Sequence, residues 1–210
     1  MVKNYISNKD ETPRLFENNF LETLSKIHWT IPIFVFSPII IYFFYKSFVL
    51  FNFELWKIVP QILFGLFTWT FIEYFLHRFV FHYNPSSKFG KRLHFLFHGV
   101  HHDYPNDSKR LVMPPSISLP LATLFFYFFQ LSLGPITVFP FFTGFIGGYL
   151  IYDISHYAIH HFNMKSRFWL FIKNHHMKHH YQFDDKGFGV SQPFWDYVFG
   201  TTFPVKKDKN

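Results

Sequence analysis

Four apolar stretches divide the chain: residues 31–53, interrupted by Lys46, then 58–76, 117–133 and 135–152. Each approaches the roughly 20 residues that a helix needs to cross a hydrocarbon core, at about 1.5 Å of rise per residue. The stretches largely lack the polar face that a helix on a water-soluble core would carry, so they predict four transmembrane helices. Only Gly134-Pro135 separates the last two, which predicts a tight helical hairpin. Residues 1–25 are polar and mixed in charge, without the apolar run and cleavage site of a signal peptide. The charged tail from Lys206 to Asn210 is expected to fray.

The segments between the spans are basic. Of the 20 Lys and Arg residues, 18 fall before the first span, between the second and third, or after the fourth. The other 2, Lys46 near the end of the first stretch and Lys57 just after it, fall on the side of the first connection. With four crossings, the richer segments share one side, and the positive-inside rule places that side in the cytoplasm, together with both termini. A bacterial inner membrane or the endoplasmic reticulum fits that reading. The net charge of +7 raises the question of nucleic acid. Because the basic residues lie beside apolar runs and form no single stripe, we expect a lipid bilayer and no nucleic acid as partner. The 34 Phe and 12 Tyr sit mostly in the spans, and the mean hydropathy of only +0.07 averages two unlike kinds of segment. There is no cysteine, which excludes disulfides, thiolate metal sites and cysteine nucleophiles.

Histidine carries the sharpest chemical signal. Of 14 histidines, 6 lie within residues 77–102 and 7 within 156–180, with His28 alone elsewhere. Both clusters follow an even number of crossings, so they face the same compartment and can meet. His98, His101 and His102 stand at i, i+3 and i+4, as do His176, His179 and His180; His156 and His160 are four apart. Such spacings put imidazoles on one helix face, near enough to share an ion. His77 and His82 are five apart, so this pair is expected to straddle the end of its helix. A loose metal-capture loop would be repetitive and rich in Gly, Ser or Asp; here the histidines alternate with aromatics, as in HFLFH at 94–98.

Ten imidazoles are too many for one ion and suit two. All-imidazole coordination fits iron, zinc or copper and argues against magnesium or calcium. The inward carboxylates of a ferritin-like bundle are missing. Glu73, four residues before His77, and Asp153, three before His156, are placed to accept the free N–H of a ligand or simply to cap a membrane helix.

The motifs HxxxxH (77–82), HxxHH (98–102), HxxxHH (156–161) and HxxHH (176–180) resemble the membrane di-iron fatty acid hydroxylase superfamily. Further text supports the resemblance over about residues 65–203: EYFLHRF (73–79), HFLFHGVHH (94–102), RLVMPP (110–115), YDISH (152–156), GFGVS (187–191) and FWDYVFGT (194–201). The RLVMPP and GFGV segments point to its fatty acid 2-hydroxylase branch. The resemblance implies an all-α integral membrane protein whose four transmembrane helices carry a cytoplasmic histidine-rich helical cap with a di-metal centre. It implies that His77, His82, His98, His101, His102, His156, His160, His176, His179 and His180 are the metal ligands, with His94 and His161 behind them. His175 falls where the pattern asks for no histidine. It further implies two iron ions, O2 as co-substrate and an acyl-lipid substrate hydroxylated at C2, either a fatty acid or the N-acyl chain of a sphingolipid. Zinc lies above ferrous iron in the affinity order and is able to replace it on purification. Many eukaryotic members begin with a cytochrome b5 domain. This sequence leaves no room for one, so electrons are expected from a separate donor such as cytochrome b5 or ferredoxin with its reductase.

Tyr152 and Asp153, beside the His156 cluster, are candidates for proton delivery or for tuning the ligands, against the plainer reading of an interfacial tyrosine. Residues 187–201, with their glycines, Pro193 and Trp195, are expected to fold back over the metal face. Two other functions remain in view. A desaturase or sterol oxidase of the same superfamily would share the histidine spacing. A histidine-rich metal transporter would place ionisable ligands at mid-span, where the spans hold almost none.

Overall fold

The computed structural model describes residues 5–204. The expectation for the tail at 206–210 lies outside the described residues. Among them every regular element is helical. A short α1 (Asn19–Leu24) precedes the first long helix α2 (Ile31–Tyr45), whose last turn widens to i→i+5 hydrogen bonding over Lys46–Leu50. The second, α3 (Leu55–Phe75), widens likewise over Leu76–Phe81. Then come α4 (Lys88–His94), which passes through a wide turn at Phe95–Gly99 into α5 (Val100–Asp103), and the hairpin of α6 (Pro115–Leu133) and α7 (Val138–His161). Two further helices, α8 (Arg167–Tyr181) and α9 (Phe194–Val198), complete the fold.

Local chemistry explains the boundaries. Asn18, Ser87 and Ser166 accept backbone N–H bonds at the starts of α1, α4 and α8, the usual work of short polar side chains there. Pro32 and Pro115 sit in first turns, where a missing N–H costs nothing. Gly134, at φ 90°, ends α6 and makes the hairpin turn.

Four helical segments are long and apolar enough to cross a membrane: Ile31–Leu50, Leu55–Phe81, Pro115–Leu133 and Val138–His161. Two of these reach well past the apolar stretches, α3 through Phe81 instead of residue 76 and α7 through His161 instead of 152. Hydropathy falls where the histidines begin, but an internally hydrogen-bonded helix continues when its polar side chains point into protein. The central member is α7, with 72% of its span buried against 6–17% for the other three. Its neighbours are α3, α2 and α6. Phe36, Trp69, Phe129, Phe142 and Phe145 interlock around it, many edge to face, as Trp69 on Phe145 at 77° and Phe126 on Phe142 at 80°. Other phenylalanines, such as Phe64 and Phe128, point outward and are exposed.

At the histidine-bearing end, residues 5–27 lie across the bundle as a strap. Ile6 and Ser7 donate to the Asp103 carbonyl, Thr12 donates to Asp107, and the Tyr181 hydroxyl donates to Asn8. Arg92 and Arg110 donate to the carbonyls of Leu15 and Pro13. Buried Glu22 pairs with Arg110 at 2.6 Å and Lys26 at 2.5 Å, and accepts from the N–H groups of Leu15 and Phe16. Burial alone would raise its carboxyl, but the hydrogen bonds from Lys26, Leu15 and Phe16 and the Arg110 charge lower it from 4.5 to about 2. A depressed carboxyl adds stability that is present above its unfolded value and is lost as pH falls toward the folded one. The contribution of Glu22 is therefore complete above about pH 4.5 and disappears on approaching pH 2. Glu22→Ala, which leaves Arg110 buried with a partner missing, should cost on the order of 3 kcal/mol in detergent melting experiments at neutral pH. An unchanged melting curve would show the strap to be unimportant for stability.

Candidate metal centre

The ten histidines meet where the ends of α3 and α7 face α5 and α8, and they form two groups of five. One holds His77, His82, His98, His102 and His179; the other holds His101, His156, His160, His176 and His180. Within each group the candidate ligand atoms all lie within 4.8 Å of one another.

The grouping differs from a simple reading of the spacings. In each i, i+3, i+4 triplet the i and i+4 members stay together while the i+3 member turns to the other group: His98 and His102 part from His101, and His176 and His180 part from His179. Positions i+3 and i+4 differ by about 100° around a helix, enough to serve centres on either side. Each triplet thus spans both groups and does not share one ion. His77 and His82 also depart from expectation. The helix does not end between them; it widens, with the His82 N–H bonding the His77 carbonyl at 3.1 Å. That i→i+5 turn, a form often found at functional sites, is what aligns a pair five apart.

Each group has a hub. His98 Nε2 lies 3.0, 3.2 and 3.0 Å from the Nε2 atoms of His77, His82 and His102. His176 Nε2 lies 2.9, 3.0 and 3.0 Å from those of His156, His160 and His180. Burial, reinforced by neighbouring imidazoles, holds His98, His101, His102, His176 and His180 well below 6.5. Burial likewise brings His82 to about 3 and His179 to about 4. These rings are neutral at pH 7, and a neutral imidazole offers one N–H and one lone pair. His77 and His179 donate Nδ1–H to the carbonyls of Phe188 and Lys186, which fixes the lone pair on Nε2 and turns it inward. A hub nitrogen carries at most one proton, so hydrogen bonding cannot satisfy three nitrogens around it. Lone pairs converging in a dry pocket fit a bound cation, and an all-nitrogen set of five fits a first-row transition ion.

The other predicted residues fall into three kinds. Neither candidate carboxylate accepts from a histidine ligand. Glu73 instead accepts from the N–H groups of Val190 and Ser191 and the Ser191 hydroxyl. Asp153 accepts from Met113 N–H and the Tyr149 hydroxyl. Four and three residues back along their helices, Glu73 and Asp153 are carried past the imidazole edge toward a neighbouring loop or helix. Tyr152 stacks on His156, with ring centroids 5.8 Å apart at 29°. His161 stacks on Tyr157 and its buried Nε2 has no partner, while His94 lies under Gly99, within 3.7 Å of where a Cβ would stand. No hydrogen bond joins His94 or His161 to the ten among the described residues. Residues 187–201 do fold over the centre, with Trp195 Nε1 donating to Thr70.

Sequence reasoning missed Asp196. It is fully buried and accepts from Phe188 N–H, Gly189 N–H, Thr201 and His175. It also missed the carbonyls of Lys186 and Phe188. Main-chain acceptors leave no mark in a sequence, although the glycines at 187 and 189 signal a tight backbone there.

A cavity of about 340 Å³ opens onto both groups through His98, His101 and His156, under the strap residues Leu15, Leu21 and Leu24. It shares Phe81, Met113 and Tyr152 with a narrow, almost wholly apolar slot of about 30 Å³ that runs between Trp69, Phe125 and Phe145.

Fold and site together define an all-helical integral membrane protein with a paired histidine centre at one end of its bundle. The family described as Fatty acid hydroxylase matches residues 62–201. The chain belongs to that family. It is 38% identical over 192 residues to a dihydroceramide fatty acyl 2-hydroxylase of Arabidopsis thaliana, covering 91% of this chain and 80% of the relative. It is 39% identical to a ceramide very long chain fatty acid hydroxylase of Schizosaccharomyces pombe and 34% identical to a fatty acid 2-hydroxylase of Rattus norvegicus, covering 89% and 93% of this chain. The chain spans only 54% and 58% of those two relatives. A solved structure of full-length scs7p, in which only the hydroxylase domain is visible, superposes with a TM-score of 0.82 at 37% identity, covering 89% of this chain and 70% of that one.

Proposed function

We propose that this protein hydroxylates a lipid acyl chain at C2, the chain belonging to a free fatty acid or to the N-acyl group of a ceramide-type lipid. The observation that carries the reading is the junction of the apolar slot with the wider cavity at Tyr152, beside His98, His101 and His156. A polar head in the cavity puts the carbons nearest the carbonyl against the imidazoles. An acyl tail directed at the slot must widen it, since about 30 Å³ has room for only about one or two methylenes. In the reaction one oxygen atom of O2 enters a C–H bond and the other leaves as water, with two electrons and two protons supplied from outside.

The ten histidines would hold two iron ions, which when bound supply the oxidising power for C–H cleavage. The protein's own part is placement and dryness. Trp69, Phe125 and Phe145 exclude water from the tail. Tyr152, stacked on His156, borders both slot and cavity and is positioned to hold the reacting carbons. Asp153 lines the cavity close by and is our candidate for handling a proton. The centre and both termini face the cytoplasm, by the distribution of Lys and Arg, and a separate redox protein delivers the electrons. The same nitrogens would also take zinc, which lies above ferrous iron in the affinity order, in protein purified without iron control.

The test is expression in cells that make ceramides but lack acyl hydroxylation, with a competent electron donor, followed by lipid mass spectrometry. A gain of one oxygen, placed at C2 by fragmentation, is expected. Loss of two hydrogens would move the protein to desaturation, and an unchanged lipid profile would defeat the reading.

A further inference from the structure

The two histidine groups differ in what stands behind them. In the group around His98, the loop at 186–191 meets the ligands directly, since the carbonyls of Lys186 and Phe188 accept from His179 and His77. That loop is itself held by two buried carboxylates. Four successive N–H groups donate to them: Phe188 and Gly189 to Asp196 at 2.8 Å each, Val190 and Ser191 to Glu73 at 2.9 and 2.8 Å. Asp196 is fixed in turn by Thr201 at 2.7 Å and His175 at 3.1 Å. The backbone fits this path only with glycine, because a Cβ at 187 would stand 2.1 Å from the Phe203 ring and one at 189 would stand 2.1 Å from the Gln192 carbonyl.

The group around His176 has no such backing. The buried Nδ1 atoms of His160, His176 and His180, and both ring nitrogens of His101, have no protein partner. This group also lends two rings, His101 and His156, to the cavity wall, against one, His98, from the other. A partner on the outer nitrogen sets ring orientation and raises ligand basicity, and losing one typically lowers metal affinity about 10- to 100-fold.

We infer that the two groups hold metal unequally: the His98 group retains its ion, the His176 group exchanges its ion through the cavity, and Asp196 with Glu73 are positioning residues for the retained ion. The inference rests on the metal-centre reading above. The loop at 186–191 makes the difference by holding two of five rings in one tautomer and one direction, so that the ion of the His98 group leaves only when carbonyls and carboxylates let go together.

The experiment is a chelator time course on the purified protein in detergent, loaded with zinc or with ferrous iron under anaerobic conditions, reading retained metal by elemental mass spectrometry. The expected course has two phases of one equivalent each, with rates at least about tenfold apart. His160→Ala should keep the slow equivalent, and His179→Ala should leave only a fast one. Asp196→Asn should accelerate the slow phase at least about tenfold, and the milder Thr201→Val should accelerate it less. Unchanged elution and melting behaviour would show that these variants remain folded. A single phase in the native protein, a slow phase that survives His179→Ala, or an unaltered slow rate in folded Asp196→Asn would each overturn the inference while leaving the metal centre standing. A protein that takes up no metal would overturn the metal-centre reading and this inference with it.

Discussion

Replacing His176 with alanine should abolish acyl hydroxylation and leave purified protein with about one metal ion per chain where the native protein should hold two. The size of the effect follows from the geometry. His176 Nε2 is the nitrogen that three others surround, within 2.9–3.0 Å. The ring is wholly buried. Loss of an outer partner alone costs about 10- to 100-fold in metal affinity or activity, and loss of the central ligand must exceed that. Product falling more than about a hundredfold is the expected outcome in lipid mass spectrometry, at equal protein in the membrane. His98→Ala should behave the same way, as the hub of the other group. A variant that keeps full metal content and activity would remove the basis for treating the hubs as ligands.

The second large effect is expected far from the metal centre. At Gly65 an added Cβ would stand 1.9 Å from the carbonyl oxygen of Phe141, and at Gly144 another would stand 1.9 Å from that of Ile62. These two glycines let the backbones of α3 and α7 touch, as small residues do between membrane helices. The obstacle in each case is backbone, which cannot swing aside as a side chain does. Overpacking a core commonly costs about 1–3 kcal/mol, and Gly65→Ala should exceed that range. Because α3 carries His77 while α7 carries His156 and His160, prying them apart should also reduce metal content. Gly147→Ala is the contrast on the same helix: its Cβ would meet nothing within 4 Å, so stability should change by less than about 1 kcal/mol. Equal melting temperatures for Gly65→Ala and Gly147→Ala would refute this account of the helix contact.

Both predictions show what was readable in the chain beforehand. The apolar stretches predict four long helices because hydropathy reports on lipid directly, and the helices are there. Their ends are less legible: α3 and α7 continue past the last apolar residue since inward-facing histidines keep the helix going. The histidine spacings brought the right residue type to one end of the bundle but concealed the division into groups, because i+3 and i+4 look equivalent along a line and diverge around a cylinder. The pair at 77 and 82 could not be aligned without the widened turn, which no residue type announces. Glu73 and Asp153 stood near ligands in sequence and turned instead to Ser191 and Met113, partners 118 and 40 residues away. Asp196 was invisible for the opposite reason, since all it does depends on a loop that reaches it only after folding.

The strap over the histidine end has a consequence for how the molecule is made. Its partners are remote along the chain: Thr12 waits for Asp107, Glu22 for Arg110, and Asn8 for Tyr181, 173 residues later. Closing loops of that length is slow, and such contacts form late when nearer ones are available. The strap is thus expected to be among the last segments to find its place. Because Leu15, Leu21 and Leu24 of the strap form one wall of the cavity beside the histidines, that wall is completed only when these distant contacts close.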